Sequence, residues 1–99
     1  MLTFAIGDVH GCLTPLMRLL EKCRRFANGR TARFIFLGDL IDRGPDSRGV
    51  VELIMAMQTA NPGSIIALAG NHEDFLLRLD QTADVALWRA NGGSATLAS

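Results

Sequence analysis

FIFLGDLIDRG, running from Phe34 to Gly44, decides how this chain folds. Four apolar residues, Phe34 to Leu37, lead without a break into Gly38 and then into the polar group Asp39, Asp42 and Arg43. The same change of character occurs on either side of it. Phe4 to Ile6 lead into GDVHG (Gly7 to Gly11), and Ile65 to Ala69 lead into GNHE (Gly70 to Glu73). Continuous apolar runs of this length suit strands buried on both faces of a parallel sheet. The leading glycines, Gly7, Gly38 and Gly70, stand 31 and 32 residues apart. That interval is about one β-α-β unit.

The segments between the runs read as helices. Thr14 is suited to cap the first helix and Pro15 to open it. Leu16, Leu19, Leu20, Cys23 and Phe26 make its apolar stripe, and Asn28-Gly29 stops it. The second helix starts at Asp46 or Ser47, buries Val50, Val51, Leu53, Ile54 and Met57, and stops at Asn61-Pro62-Gly63. A third starts at His72 or Glu73 and carries Phe75, Leu76 and Leu79. A fourth starts near Thr82, carries Val85 and Trp88, and ends at Asn91-Gly92-Gly93. The expected class is α/β, with order βαβαβα and then a further helix. Right-handed crossovers make the strands parallel neighbours. Ligands of such sheets bind beyond the carboxyl ends of the strands, where all three polar motifs fall.

Asp8 and His10 are two residues apart, and in an extended stretch they point the same way. Asp39 takes the matching place after the second run, and Asn71 after the third. Mixed oxygen and nitrogen donors suit manganese, iron(II), zinc or magnesium. Asp39, at the central crossing, is the best placed to bridge two ions. Each of these residues taken singly is most often a turn, cap or surface residue. Three polar clusters meeting at one sheet edge point instead to a shared site. Arg43 has the planar fork that matches phosphate oxygens. His72 is a general acid or a metal ligand, and Asp42 is placed to hold its ring. Asp42 and Arg43 also fit a surface ion pair of little energetic value. Trp88 reads as core.

Composition narrows the remaining classes. The 99 residues are 48% hydrophobic and 20% charged, with a formal net charge of zero. One domain at most is expected. Neutrality gives no electrostatic footprint for nucleic acid or an anionic membrane. No apolar run reaches transmembrane length, so the expected compartment is the cytoplasm. Cys12 and Cys23 form no C-x-x-C pair, and Cys23 reads as a small core residue. Neither a dinucleotide fingerprint nor a P-loop motif is present.

Taken in order, GDVHG, GDLIDRG and GNHE resemble the motif set of the calcineurin-like metallophosphoesterase superfamily. Within it, the chain looks like the bacterial phosphoprotein-phosphatase type. Asp42 before Arg43, Glu73 after His72, and the W-x-x-N-G-G-x-x-T-L stretch from Trp88 to Leu97 carry that likeness. Dinucleoside polyphosphate hydrolases are similar in GDVHGC but usually differ at the positions of Asp42 and Glu73. The resemblance implies the N-terminal βαβαβα half of an αββα sandwich, so residues 1–99 would form a partial domain. It implies two divalent ions, manganese first, with Asp8, His10 and Asp39 on one and Asp39 and Asn71 on the other. It implies hydrolysis of phosphate monoesters, in phosphoproteins or small esters, by in-line attack of a metal-activated hydroxide. Arg43 would bind phosphate, and His72, supported by Asp42, would protonate the leaving group. Family members add two further histidines and an arginine downstream, whereas this sequence holds only His10 and His72. The chain therefore reads as an N-terminal portion with a sheet face or edge left uncovered. An inactive metal-binding or interaction module is the alternative this raises.

Overall fold

The computed structural model describes residues 1–77 and 85–99. The chain runs through β1 (Leu2–Ile6), α1 (Leu13–Ala27), β2 (Ala32–Phe36), α2 (Ser47–Ala60), β3 (Ile65–Ala67) and α3 (Asn71–Leu77). After the undescribed stretch come α4 (Val85–Trp88), a π-type turn (Arg89–Gly93) and α5 (Ser94–Ala98). The strands are parallel and lie in the order β1-β2-β3. Phe4 pairs with Phe34 and Phe34 with Ile65, while Ile6 pairs with Phe36 and Phe36 with Ala67. This is the α/β class the sequence predicts.

Among the described residues, the strands are covered on one face, not two. Phe34, Phe36, Ile6 and Ile65 are buried, and Phe36 is fully so. They join Leu16 and Leu20 of α1 and Val50, Ile54 and Met57 of α2 in one core. Alternate residues Thr3 and Ala5 are exposed, and Ile35 and Ile66 are half-buried. The reason is topological. Strand order follows chain order, so crossovers of one hand lay both helices on the same side of the sheet. The uncovered face expected from the sequence is therefore the face carrying Ala5, Ile35 and Ile66.

Several local expectations shift. Helix α1 is capped at Cys12, without a side-chain bond, instead of at Thr14. Pro15 still lies in the first turn, where its missing N–H has no helical partner to lose. Its buried stripe is Leu16, Leu20, Cys23 and Ala27. Phe26 is exposed, lying edge-on to Phe4 at 6.2 Å beneath the Arg30 guanidinium. Leu19 is also partly exposed. Asn28 ends the helix in the left-handed region, φ 48°, with its N–H on the Arg24 carbonyl at 3.0 Å. Helix α2 is capped by Asp46, whose carboxylate accepts from the Gly49 N–H at 2.8 Å. Strand β3 stops at Ala67 instead of Ala69, because the chain leaves the sheet after Leu68 N–H bonds Phe36 O. Asn91-Gly92-Gly93 does not end the last helix. Gly92 (φ 111°) kinks it, and helical turns resume at Ser94. The expected positions of Leu79 and Thr82 lie outside the described residues.

Two stability predictions follow from this packing. Phe36→Ala removes a fully buried ring from the helix-covered face of the sheet, and should cost about 3–5 kcal/mol, read as a lowered urea midpoint. Asn28→Ala should cost about 1 kcal/mol because alanine tolerates the left-handed backbone poorly. Asn28→Gly should leave the midpoint unchanged or higher, and equal loss in both variants would contradict the capping argument.

Candidate functional site

The site is built from the loops that follow the three strands, and backbone contact holds those loops together. Val9 and His10 N–H both donate to the Asp39 carbonyl, at 3.1 and 2.9 Å, and Gly11 N–H donates to Leu40 O at 2.8 Å. A side chain at Gly44 would fall on the His10 carbonyl, so glycine is required there for the first two loops to meet. The second and third loops meet as closely. A Cβ at Gly70 would overlap the backbone nitrogen and carboxylate of Asp39.

That contact brings Asp8, His10 and Asp39 together: one ligand atom from each lies within 4.8 Å of the others. His10 Nδ1 lies 2.9 Å from the Ile41 carbonyl. A carbonyl only accepts, so Nδ1 carries the hydrogen and Nε2 keeps its lone pair for an ion. Asp8 Oδ2 stands 3.7 Å from that Nε2. The convergence does not come from an extended stretch, as the spacing suggests. His10 is in the left-handed region (φ 44°), held there by the two bonds to Asp39 O. The donor set of two carboxylates and one oriented imidazole fits a divalent ion of the manganese-to-zinc group.

Asn71 opens α3 and is exposed. Its neighbour His72 donates its backbone N–H to Asp39 Oδ1 at 2.9 Å, which sets this helix start beside Asp39. The His72 ring lies 4.7 Å from the His10 ring, nearly perpendicular to it. Its Nδ1 lies 2.9 Å from Asp42 Oδ2. Asp42 is completely buried, and it is not paired with Arg43 as a surface ion pair. Trp88 Nε1–H donates to Oδ2 at 2.8 Å and the Thr96 hydroxyl donates to Oδ1 at 2.5 Å. With two donors already on it, the Asp42 carboxylate is an acceptor, so the shared hydrogen lies on His72 Nδ1 and Nε2 is not used by that bond. Arg43 is exposed, and its backbone N–H is anchored on the Gly92 carbonyl at 2.9 Å. Arg43, Asn71 and His72 line one cavity with Phe75, Trp88 and Asn91.

Among the described residues, His10, Asp39, Asp42 and Arg43 are four of the five non-glycine residues with positive φ. The fifth is the helix cap Asn28. Left-handed backbone at non-glycine residues, the helix cap aside, is thus concentrated at the site.

Sequence reasoning missed three contributors. Trp88 is core, as expected, but its indole N–H also serves Asp42. Thr96 both donates to Asp42 Oδ1 and accepts the Asp42 N–H at 2.8 Å. Glu73 stands within a motif read for its asparagine and histidine, yet its carboxylate accepts four backbone N–H groups from the second and third loops. The signal for Glu73 was present. A glycine at the cap position followed three residues later by glutamate has the spacing of a capping box with half its side chains missing.

Comparison with known proteins places the chain in a family. The chain is 37% identical over 90 residues to serine/threonine-protein phosphatase 1 of Salmonella typhimurium, covering 91% of this chain and 38% of that protein. It is 40% identical over 77 residues to a symmetrical bis(5'-nucleosyl)-tetraphosphatase of Dechloromonas aromatica, covering 78% of this chain and 26% of that protein. A protein serine/threonine phosphatase from Saccharomyces cerevisiae superposes with a TM-score of 0.64 at 28% identity, covering 77% of this chain and 24% of that one. The three parallel strands and their helices thus match the N-terminal part of such proteins, and the chain spans well under half the length of each. The pattern of the calcineurin-like phosphoesterase family matches residues 1–97, and the chain belongs to that family.

Proposed function

We propose that this chain carries the N-terminal share of a metal-dependent phosphomonoesterase site of the phosphoprotein-phosphatase type. The observation that carries the reading is the Asp42–His72 pair, held at 2.9 Å beside the Asp8, His10 and Asp39 ligand group. In it a proton-handling imidazole stands next to a place for a cation. Asp8, His10 and Asp39 would hold the first divalent ion, and Asp39 and Asn71 would contribute to a second, with manganese the preferred metal. Such ions supply positive charge to the phosphoryl oxygens and lower the pKa of the attacking water.

The chain's own residues do the rest. Arg43 is exposed at the rim, where its guanidinium can meet two phosphate oxygens at once. His72 lines the same cavity, and with a second proton on Nε2 it would give that proton to the leaving oxygen and return to the neutral Nδ1–H form. Asp42 fixes the ring by accepting the hydrogen bond from Nδ1–H, and burial keeps water from replacing that bond. The substrate would be a phosphoserine or phosphothreonine side chain or a small phosphate ester. The likeness over 91% of the chain to a bacterial serine/threonine phosphatase supports that choice, as do the Trp88 and Thr96 bonds to Asp42. A second reading, hydrolysis of dinucleoside polyphosphates, is favoured by the Dechloromonas relative. Composition supports a cytoplasmic protein. Among the described residues no helix is long and apolar enough to cross a membrane.

Hydrolysis of p-nitrophenyl phosphate with manganese, set against diadenosine tetraphosphate, tests the two readings. Turnover of the monoester should vanish with chelator, and His72→Asn should lower it by about 10²–10⁴-fold. Asp39→Asn should abolish manganese binding in a calorimetric titration. Turnover of the dinucleotide alone would favour the second reading. Metal-independent turnover, or manganese binding unchanged in Asp39→Asn, would overturn both.

A further inference from the structure

The polar group that the proposed chemistry leaves without a role is Glu73. A carboxylate one residue from His72 and two from Asn71 invites assignment as a metal ligand. Its hydrogen bonds say otherwise. Oε1 accepts the N–H of Asp39 at 2.5 Å and of Gly70 at 2.9 Å. Oε2 accepts the N–H of Leu40 at 2.9 Å and of Ile41 at 3.3 Å. An ionised carboxylate offers about four lone-pair directions, and four N–H groups take them.

The bond runs both ways. Glu73, in the first turn of α3, caps the Gly70 N–H as the glutamate of a capping box does. Gly70 has no side chain to return the bond, and Asp39 supplies it from another loop through His72 N–H to Oδ1. A side chain at Gly70 would occupy the place of that carboxylate. Asp39 is therefore gripped at its backbone nitrogen by Glu73 and at Oδ1 by His72. That leaves Oδ2 and the second lone pair of Oδ1 to face the His10 and Asp8 donors. The turn itself, with Asp39 at φ 52°, has three consecutive N–H groups, of Asp39, Leu40 and Ile41, converging on one carboxylate.

We infer that Glu73 is a positioning residue: it sets the metal affinity of the Asp39 site by holding the Asp39–Ile41 turn against the start of α3, without itself touching the ion. The inference rests on the metal reading of Asp8, His10 and Asp39 given above, and not on the identity of the substrate. It separates two roles a glutamate can have at this position. A ligand would exchange its N–H partners for the ion when the ion binds. A clamp keeps them.

Manganese(II) affinity of the 99-residue chain, measured by calorimetry, and amide exchange with and without zinc(II), measured by NMR, test the inference together. Glu73→Gln keeps the shape but turns an amide donor towards the Leu40 and Ile41 N–H groups. Manganese should bind it about 10–100-fold more weakly, the usual effect of losing a partner that orients a ligand, while the far-ultraviolet circular dichroism is retained. In the unaltered chain, the Asp39, Leu40 and Ile41 amides should stay protected when zinc binds. Equal manganese affinity in Glu73→Gln overturns the inference. Loss of Leu40 and Ile41 protection on zinc binding also overturns it, and makes Glu73 a ligand. If Glu73→Gln fails to fold, the zinc experiment on the unaltered chain decides alone. Absence of manganese binding by the unaltered chain overturns the metal reading beneath it. Manganese binding without phosphate-ester hydrolysis counts against turnover by this chain alone and leaves the role of Glu73 standing.

Discussion

Asp39 is the residue on which the site depends, because its polar groups tie all three strand-end loops together. Its carbonyl accepts from Val9 and His10, its N–H donates to Glu73, and its Oδ1 accepts from His72. Remove one of those bonds and a loop carrying other candidate ligands loses its anchor. The sheet supplies the frame: parallel strands in chain order bring the three loops to one edge in sequence. Glycine supplies the closeness, since Gly44 and Gly70 leave room where a side chain would meet backbone. The candidate metal ligands are thus held mainly by main-chain hydrogen bonds, which are shorter and stiffer tethers than long side chains.

A second layer reaches the same loop from the far end of the chain. Trp88, Gly92 and Thr96 all bond to Asp42 or Arg43. A buried carboxylate without donors is costly. Trp88 and Thr96 meet that cost, and the orientation of His72 follows from it. The kink at Gly92 is part of the same arrangement. It points a carbonyl at the Arg43 N–H before the helix resumes and delivers Thr96 to Asp42.

Much of this was legible in the sequence, for definite reasons. The unbroken apolar runs gave three strands, and the near-equal glycine spacing gave their parallel order. The positions of Asp8, His10 and Asp39 after those runs gave their meeting place. What escaped was everything depending on which way a side chain faces across the fold. Phe26 fits a helical stripe as well as Ala27 does, and only the edge of the sheet decides that Phe26 stays outside. Two-sided burial was inferred from apolar runs that also occur in strands covered once. Thr96 and the distant half of the Glu73 bonds escaped because their partners, a carboxylate and backbone N–H groups, lie some 30 to 50 residues away, while the local Glu73–Gly70 bond had a readable spacing. Periodicity carries no trace of such bonds.

The left-handed residues around the site have a consequence for how this sequence could change. His10, Asp39, Asp42 and Arg43 each hold a backbone conformation that glycine adopts freely and that costs other residues on the order of 1 kcal/mol. Replacement by glycine would relax the main chain at each of these places. It would also delete a candidate ligand, the buried acceptor or the guanidinium. Selection for thermal robustness alone would therefore drive the chain towards an inert scaffold. Four polar residues thus stand in backbone that glycine would adopt more cheaply, and all four lie around the Asp8, His10 and Asp39 group.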